Sequence, residues 1–178
     1  MPALINFISA SDHGLMRRVN SWSAPRWIRL WMICATRGGD GWLWYGLGIA
    51  LLILGGHRGR VAVGAMVLAG ATSITNFLWM KRVAKRPRPC QIEPHCWAKL
   101  LPPDQFSFPS GHTMTAFAVA LPVATLFPHL AGPVYFAAAS IAISRILLGM
   151  HFLSDVLAGG VVGSAVGYGA LTVFRNLL

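Results

Sequence analysis

A run of twenty residues without a charged side chain, residues 61–80, constrains the fold more than any other feature of this sequence. A helix needs about 20 apolar residues to cross the hydrocarbon core of a bilayer, so this run predicts a membrane span. Further apolar runs with the same character occupy residues 42–55, 111–127, 134–150 and 152–174. The sequence therefore predicts an all-α, multi-pass transmembrane helical bundle in which five spans can be recognised.

The composition agrees with a membrane protein, because 55% of the residues are hydrophobic and 11% are charged. In soluble proteins about a quarter of the residues are charged. The formal net charge is +10, which in a soluble protein would suggest nucleic-acid binding. Here the Lys and Arg residues cluster at the ends of the apolar runs. Membrane lipids and an anionic substrate are therefore the expected partners, and nucleic acid is not.

Residues 1–40 differ from the rest of the chain, since arginines alternate there with Trp, Leu and Ile on either side of Pro25. This pattern predicts an N-terminal amphipathic arm that lies in the membrane interface and is broken near Pro25. Residues 41–178 would then form the membrane domain. Within it, residues 81–110 carry six prolines after Arg86 and are predicted to form a cap loop.

Polar side chains interrupt the C-terminal apolar region between residues 144 and 155. His151 and Asp155 are four residues apart, a spacing that places two side chains on the same face of a helix. A carboxylate that accepts from one imidazole nitrogen leaves the other nitrogen free to act as a base or a nucleophile. Arg145 is close enough along the chain to hold an anion at that nitrogen. The alternative is a His–Asp pair that only satisfies itself between two helices.

Two other stretches are expected at the same membrane face, because five spans place residues 81–110 and 145–155 on one side. Residues 81–89 form a dense cationic run, which an ordinary interfacial cluster would also show. Residues 108–113 read Phe-Pro-Ser-Gly-His-Thr, and the N–H groups of a helix start form an anion site. His112 in that first turn can donate a proton. The alternative is a capping turn with an incidental histidine.

Taken in chain order, these stretches resemble the type 2 phosphatidic acid phosphatase family of membrane lipid phosphatases. That family carries Lys, six residues and Arg-Pro; then Pro-Ser-Gly-His; then Ser-Arg, five residues, His, three residues and Asp. The corresponding positions here are Lys81 with Arg88-Pro89, residues 109–112, and Ser144-Arg145 with His151 and Asp155. The resemblance covers about residues 40–175. The family usually has six spans, so five to six are expected, and either the arm replaces a span or a sixth one escapes recognition.

The resemblance implies a role for each matched residue. His151 would attack phosphorus and become a phosphohistidine, Asp155 would orient it, and His112 would protonate the leaving group and then help to activate water. The phosphoryl oxygens would be held by Lys81, Arg88, Arg145, Ser110 and the Gly111 amide. The chain has only five acids, so no carboxylate cluster is available for magnesium, and metal-independent catalysis without a cofactor is expected.

The expected substrate is a lipid phosphate, because the site would lie at a membrane face. Candidates are an undecaprenyl or other polyprenyl phosphate or diphosphate, phosphatidylglycerol phosphate, phosphatidic acid and a lipid A phosphate. The short chain leaves little protein to recognise a large headgroup, which favours a small one such as a diphosphate. One alternative is a lipid phosphotransferase that uses a polyprenyl diphosphate donor, and another is a non-enzymatic anion-binding membrane protein.

Two signals give opposite orientations in the inner membrane. Twelve of the 15 Lys and Arg residues fall on the predicted active face, and the positive-inside rule would place that face in the cytoplasm. The bacterial members of the family suggest the outer, periplasmic face. The outer face is expected here, because the arginines of an arm that lies in the interface need not indicate which side of the membrane the site faces. A disulfide between Cys90 and Cys96 of the cap loop would fit that oxidising side.

Overall fold

The computed structural model describes residues 2–93 and 105–175, and all regular structure within these ranges is helical. The helices are α1 (Pro2–Ser21), α2 (Arg26–Arg37), α3 (Leu43–Leu54), α4 (Gly56–Ala84), α5 (Pro89–Ile92), α6 (Gly111–Leu126), α7 (Ala131–Leu147) and α8 (Leu153–Phe174). A kinked π-type segment, Gly38–Trp42, joins α2 to α3, and a 3-10 turn, Pro128–Leu130, joins α6 to α7. The prediction of an all-α fold is confirmed.

Helix α6 is the centre of the bundle, and α4, α7 and α8 pack around it. Because it is enclosed by other helices, α6 is apolar on every side and not along one stripe. Helix α3 covers α4, and α2 lies along α7. Within the described residues, three helical stretches are long and apolar enough to cross a membrane: Gly56–Ile92, Pro128–Leu147 and Leu153–Phe174. The shorter α6 is also apolar, so the chain is a multi-pass membrane protein.

The backbones of α6 and α8 meet along a row of glycines four residues apart. A Cβ atom at Gly159, Gly163 or Gly167 would lie 2.7, 2.2 or 2.5 Å from the carbonyl oxygens of Ser110, Met114 and Ala118, in that order. No side chain fits in that space, so the helices pack backbone against backbone, as small residues allow in membranes. This contact fixes the start of α8 relative to the start of α6.

Helix α4 is longer at both ends than the apolar run predicted. It begins at Gly56, so residues 57–60, which precede the apolar run, lie in its first turns. It continues to Ala84, so Lys81 lies on a helix and not in the cap loop. Charged residues with long apolar stems can extend a spanning helix beyond its apolar run, because their heads reach the polar region. The helix stops at Lys85, which adopts a left-handed conformation with φ +48°.

The N-terminal arm is broken where the sequence predicted, because α1 ends at Ser21 and α2 begins after Pro25. Helix α2 runs parallel to α7: the Trp31 and Phe136 rings stack with centroids 5.7 Å apart, and Thr36, further along α2, accepts from Arg145 near the end of α7. The position of the arm in the membrane interface remains a prediction.

The predicted cap loop is described only at its two ends. Residues 94–104, which include Cys96, lie outside the described residues, and Cys90 forms no disulfide with a described cysteine. The pairing of these two cysteines therefore stays a prediction.

Candidate active site

His151 lies in the bend between α7 and α8 and not on a helix. The prediction that it shares a helix face with Asp155 is therefore wrong. Helix α7 ends at Leu147, and Gly149 has φ +66°, a left-handed conformation that glycine adopts without steric cost. The His151 N–H then donates to the Arg145 carbonyl at 3.0 Å. The bend nevertheless brings the imidazole next to Asp155, which lies in the first turn of α8.

The two nitrogens of His151 face different surroundings. Nε2 lies 3.2 Å from Nη1 of Arg88, and a guanidinium only donates, so Nε2 accepts and the ring proton resides on Nδ1. Nδ1 lies 3.7 Å from Asp155 Oδ2 and has no hydrogen-bond partner among the described residues. Catalytic hydrogen bonds are often long before substrate binds. The carboxylate is thus beside Nδ1, and the lone pair of Nε2 faces Arg88.

His151 is held in its neutral form. Burial, followed by the positive charges of Arg145, Arg88 and Lys81, lowers the pKa of His151 well below its ordinary value of 6.5. The His151 residue is 2% exposed, so water does little to offset either effect. A neutral imidazole has the free lone pair that a nucleophile needs.

Three cations lie close enough to His151 to act on it electrostatically. Each of them is buried: Lys81 is 6% exposed, Arg88 0% and Arg145 3%. Arg88 also donates to the Met150 carbonyl at 2.8 Å, and Lys81 Nζ lies 5.3 Å from the centre of the Phe77 ring. Burying a positive charge is costly unless an anion pairs with it. Three such charges around one imidazole therefore form a pocket suited to a multiply charged anion.

The start of α6 adds uncharged donors to this pocket. Ser110 is fully buried and precedes Gly111, the first residue of the helix. The Ser110 N–H donates to the Asp155 carbonyl at 3.1 Å, which connects the start of α6 to that of α8. The first N–H groups of a helix have no partner within it and carry the positive end of its dipole. Contacts and electrostatic proximity thus connect the residues predicted for the site, while their roles remain predictions.

His112 follows in the first turn of α6 and is paired with an acid that sequence reasoning did not select. Its Nε2 lies 2.8 Å from Asp40 Oδ1. Arg145 and Lys81 are close enough to act on His112 electrostatically. Asp40 lies in the kinked Gly38–Trp42 segment, 72 residues before His112. The two histidines therefore each have one carboxylate, supplied by different parts of the chain.

Sequence reasoning also did not select Arg86, which contacts Asp155, or Asp12, which contacts Arg86. Arg86 donates to Asp155 Oδ1 and to Asp12 Oδ2, both at 2.8 Å, and its guanidinium lies 4.2 Å from the Phe152 ring centre. Asp12 accepts in addition from the Ser154 N–H at 3.0 Å. A signal did exist in the sequence, because Asp12 is the only acid among residues 1–39 of a basic arm.

Comparison with known proteins identifies the family. A model of the PAP2 superfamily matches residues 41–178, and the chain belongs to that superfamily. Decaprenylphosphoryl-5-phosphoribose phosphatase from Mycobacterium tuberculosis is 40% identical over 90 residues, which are 49% of this chain and 48% of that protein. The chain thus aligns with about half the length of the curated relatives that it matches first.

Two crystal structures share the fold. The PAP2-type phosphatidylglycerolphosphate phosphatase of Bacillus subtilis superposes with a TM-score of 0.74 at 22% identity, covering 97% of this chain and 89% of that one. Aquifex aeolicus LpxE superposes with a TM-score of 0.70 at 26% identity, covering 89% and 93%. The resemblance predicted from the three motifs is confirmed at the level of the family and of the fold.

Proposed function

We propose that this chain is a membrane lipid phosphatase that transfers a phosphoryl group to His151 and then to water. The observation that carries the proposal is the grouping of three buried cations around a neutral imidazole that has Asp155 beside it. An anion site alone would need the cations but no nucleophile. Relatives that are named as phosphatases support the same activity.

The proposed reaction has two steps. Nε2 of His151 bonds to phosphorus as the bond to the leaving oxygen breaks, and protonated His112 gives that oxygen its proton. Water then attacks phosphorus, the P–N bond breaks, and His112 takes a proton from the water. Lys81, Arg88 and Arg145 stabilise the equatorial oxygens in both steps, since phosphoryl transfer depends mainly on positioning and positive charge.

An apolar groove supports an amphiphilic substrate. It has a volume of about 500 Å³ and is formed by α3, α4 and α6. Gly41 and Tyr45 lie at one end of it, close to Asp40, and Ile49 and Leu52 continue it along α3. A hydrocarbon chain in this groove would bring its phosphate to the pocket from the side of the bilayer. The substrate is therefore proposed to be a lipid phosphate with a small headgroup, such as a polyprenyl phosphate or diphosphate.

Phosphate release by detergent-purified protein tests the activity and the nucleophile. Wild type and His151→Ala would be compared on undecaprenyl diphosphate, phosphatidylglycerol phosphate and phosphatidic acid. Release by wild type and none by the variant is expected, and the three rates rank the substrates. Equal release by both proteins would exclude His151 as the nucleophile, and no release by either would refute the phosphatase.

Metal independence is part of the proposal. Among the described residues, no three His, Cys, Asp or Glu side chains are grouped as metal ligands would be. Activity should therefore persist in EDTA. Loss of activity that magnesium restores would contradict this.

The site is proposed to face the periplasmic side of the inner membrane. The chain has three cysteines, so a Cys34→Ser, Cys90→Ser variant keeps only Cys96. A membrane-impermeant maleimide should label Cys96 from outside spheroplasts of a Gram-negative host. Labelling only after lysis would place the site in the cytoplasm.

A further inference from the structure

The kinked segment between α2 and α3 is shaped to bring Asp40 against His112. Gly41 has φ +119°, which only glycine adopts readily, and it sets the kink. A Cβ at Gly39 would lie 3.2 Å from His112 Cδ2 and 2.9 Å from Ile141 Cγ2. Glycine at these two positions lets the segment approach α6 closely. Asp40 Oδ1 reaches His112 Nε2 at 2.8 Å as a result.

We propose that Asp40 is a positioning residue for the proton transfers of His112. This inference rests on the proposed function, because it assigns a task within the same two-step reaction. The carboxylate accepts the Nε2–H, which fixes the ring orientation and leaves Nδ1 as the nitrogen that exchanges a proton with the substrate. No residue of the family's three motifs supplies this carboxylate, since Asp40 precedes all of them.

The charges around His112 explain why a carboxylate is needed there. Lys81 and Arg145 act on the ring from the phosphate pocket, and both oppose its protonation. Asp40 is the acid that faces the ring, and the Arg37 guanidinium lies 3.9 Å from its second oxygen. When His112 is protonated, its Nε2–H donates to Asp40 and its Nδ1–H is available to the leaving oxygen. After that proton has moved, Nδ1 accepts one from water in the second step.

The alternative is that the contact is an ordinary surface ion pair, because the Asp40 side chain is 41% exposed. A pair of that kind contributes little and has no reason to depend on the leaving group. General acid catalysis does depend on it. An alkoxide needs a proton as it departs, whereas a nitrophenolate departs without one.

The test uses two synthetic lipid phosphates with the same tail, one an alkyl ester and the other a nitrophenyl ester. Phosphoenzyme formation is followed by rapid quench in wild type, Asp40→Asn and Asp40→Glu. The matched control is Glu93→Gln, which removes an acid that contacts Arg17 at the surface. Circular dichroism and the thermal midpoint of each variant are measured alongside.

The expected result is that substitution of Asp40 slows phosphoenzyme formation from the two esters to different extents. In Asp40→Asn, formation from the alkyl ester should slow by about 10- to 100-fold, within the usual range for general acid catalysis. Formation from the nitrophenyl ester should slow by less than about 3-fold. Phosphoenzyme should then accumulate with that ester, because the second step also needs His112. Asp40→Glu should recover part of the rate, and Glu93→Gln should match wild type.

The other outcomes have separate meanings. Equal slowing of both esters, or no slowing of either, would overturn the positioning role of Asp40 and leave the phosphatase intact. Absence of phosphoenzyme in wild type, together with absence of turnover, would refute the proposed function itself.

Discussion

The two histidine–carboxylate pairs of this protein are built in opposite ways. The His151–Asp155 pair is almost completely buried, with side chains 1% and 0% exposed, and its atoms are 3.7 Å apart. The His112–Asp40 pair is closer, at 2.8 Å, but its side chains are 19% and 41% exposed. Asp155 is held by the Phe152 N–H and by Arg86, whereas Asp40 is carried by a glycine-rich kink.

The difference corresponds to the two tasks that we propose. The proposed nucleophile contacts the same phosphoryl group in every substrate. A rigid environment that excludes water therefore does not narrow the range of substrates. The proton donor meets the leaving group, which differs between an alcohol and a phosphate. A carboxylate on a partly exposed segment can accommodate that variation.

The largest effect should come from Asp155→Asn. Loss of the carboxylate leaves the neutral imidazole free to adopt the wrong tautomer and leaves Arg86 without one of its acceptors. We expect phosphoenzyme formation to fall by about 10³-fold or more, as happens when a buried orienting Asp is replaced by Asn. Rapid quench with the alkyl and nitrophenyl esters should show the same loss for both. A loss confined to the alkyl ester would transfer to Asp155 the task assigned to Asp40.

A smaller loss is expected from Asp12→Asn, since Asp12 reaches Asp155 only through Arg86 and Ser154. Outer partners of this kind typically contribute 10- to 100-fold. We expect kcat to fall within about that range, with KM unchanged and no dependence on the leaving group. Arg86→Lys should behave similarly, because Lys lacks the planar fork that joins two carboxylates. Steady-state kinetics with Arg17→Gln as the control would check both, and a rise in KM alone would contradict them.

The contact between α6 and α8, the helices that carry His112 and Asp155, can be weakened by substitutions outside the two pairs. A methyl group at Gly163 has no room beside the Met114 carbonyl, and overpacking of this kind costs about 1–3 kcal/mol of unfolding free energy. Gly169 lies in the same helix with nothing within 4 Å of a Cβ, and Gly169→Ala should gain up to about 1 kcal/mol. Denaturant titrations in detergent would measure both. If Gly163→Ala unfolded at the same denaturant midpoint as wild type, the close approach of α6 and α8 would not be required for stability.

The smallest of the expected effects concerns the protonation of His151 as the pH is lowered. Because its pKa is lowered in the folded protein, the imidazole should remain neutral at pH 6, where an unfolded chain would bind a proton. This group therefore contributes nothing above its unfolded pKa and reduces stability as the pH falls below about 6.5. Nitrogen-15 NMR of labelled histidines, assigned with His151→Gln, would follow it. A midpoint near 6.5 would contradict the buried, cation-lined setting.

Short-range patterns in the sequence predicted much of the site, and contacts distant in the chain were not predictable. The residues in the three motifs are recognisable because spacing and residue type alone define them. Asp40 and Asp12 were missed because their partners lie 72 and 142 residues away, and such contacts depend on how the helices pack. Hydropathy located the apolar helices but not their ends, which is why α4 was predicted too short. Of the five predicted spans, three correspond to helices of the described residues that are long enough to cross a membrane.

The bend at His151 shows a different limit. A spacing of four residues fits a helix, yet Gly149 ends the helical path before the histidine. The same two side chains meet by a different backbone route. The sequence therefore predicted that the His151 and Asp155 side chains are close, but not the backbone conformation that brings them together.

The row of glycines between α6 and α8 has a consequence for how such a protein can diversify. Ser110 and the His151–Asp155 bend are joined through main-chain atoms, so their spacing does not depend on the lipid-facing side chains. Mutations on α3 or α4 can reshape the groove without altering the distance between Ser110 and His151. One chemical module can thereby be inherited intact while the lipid it serves changes.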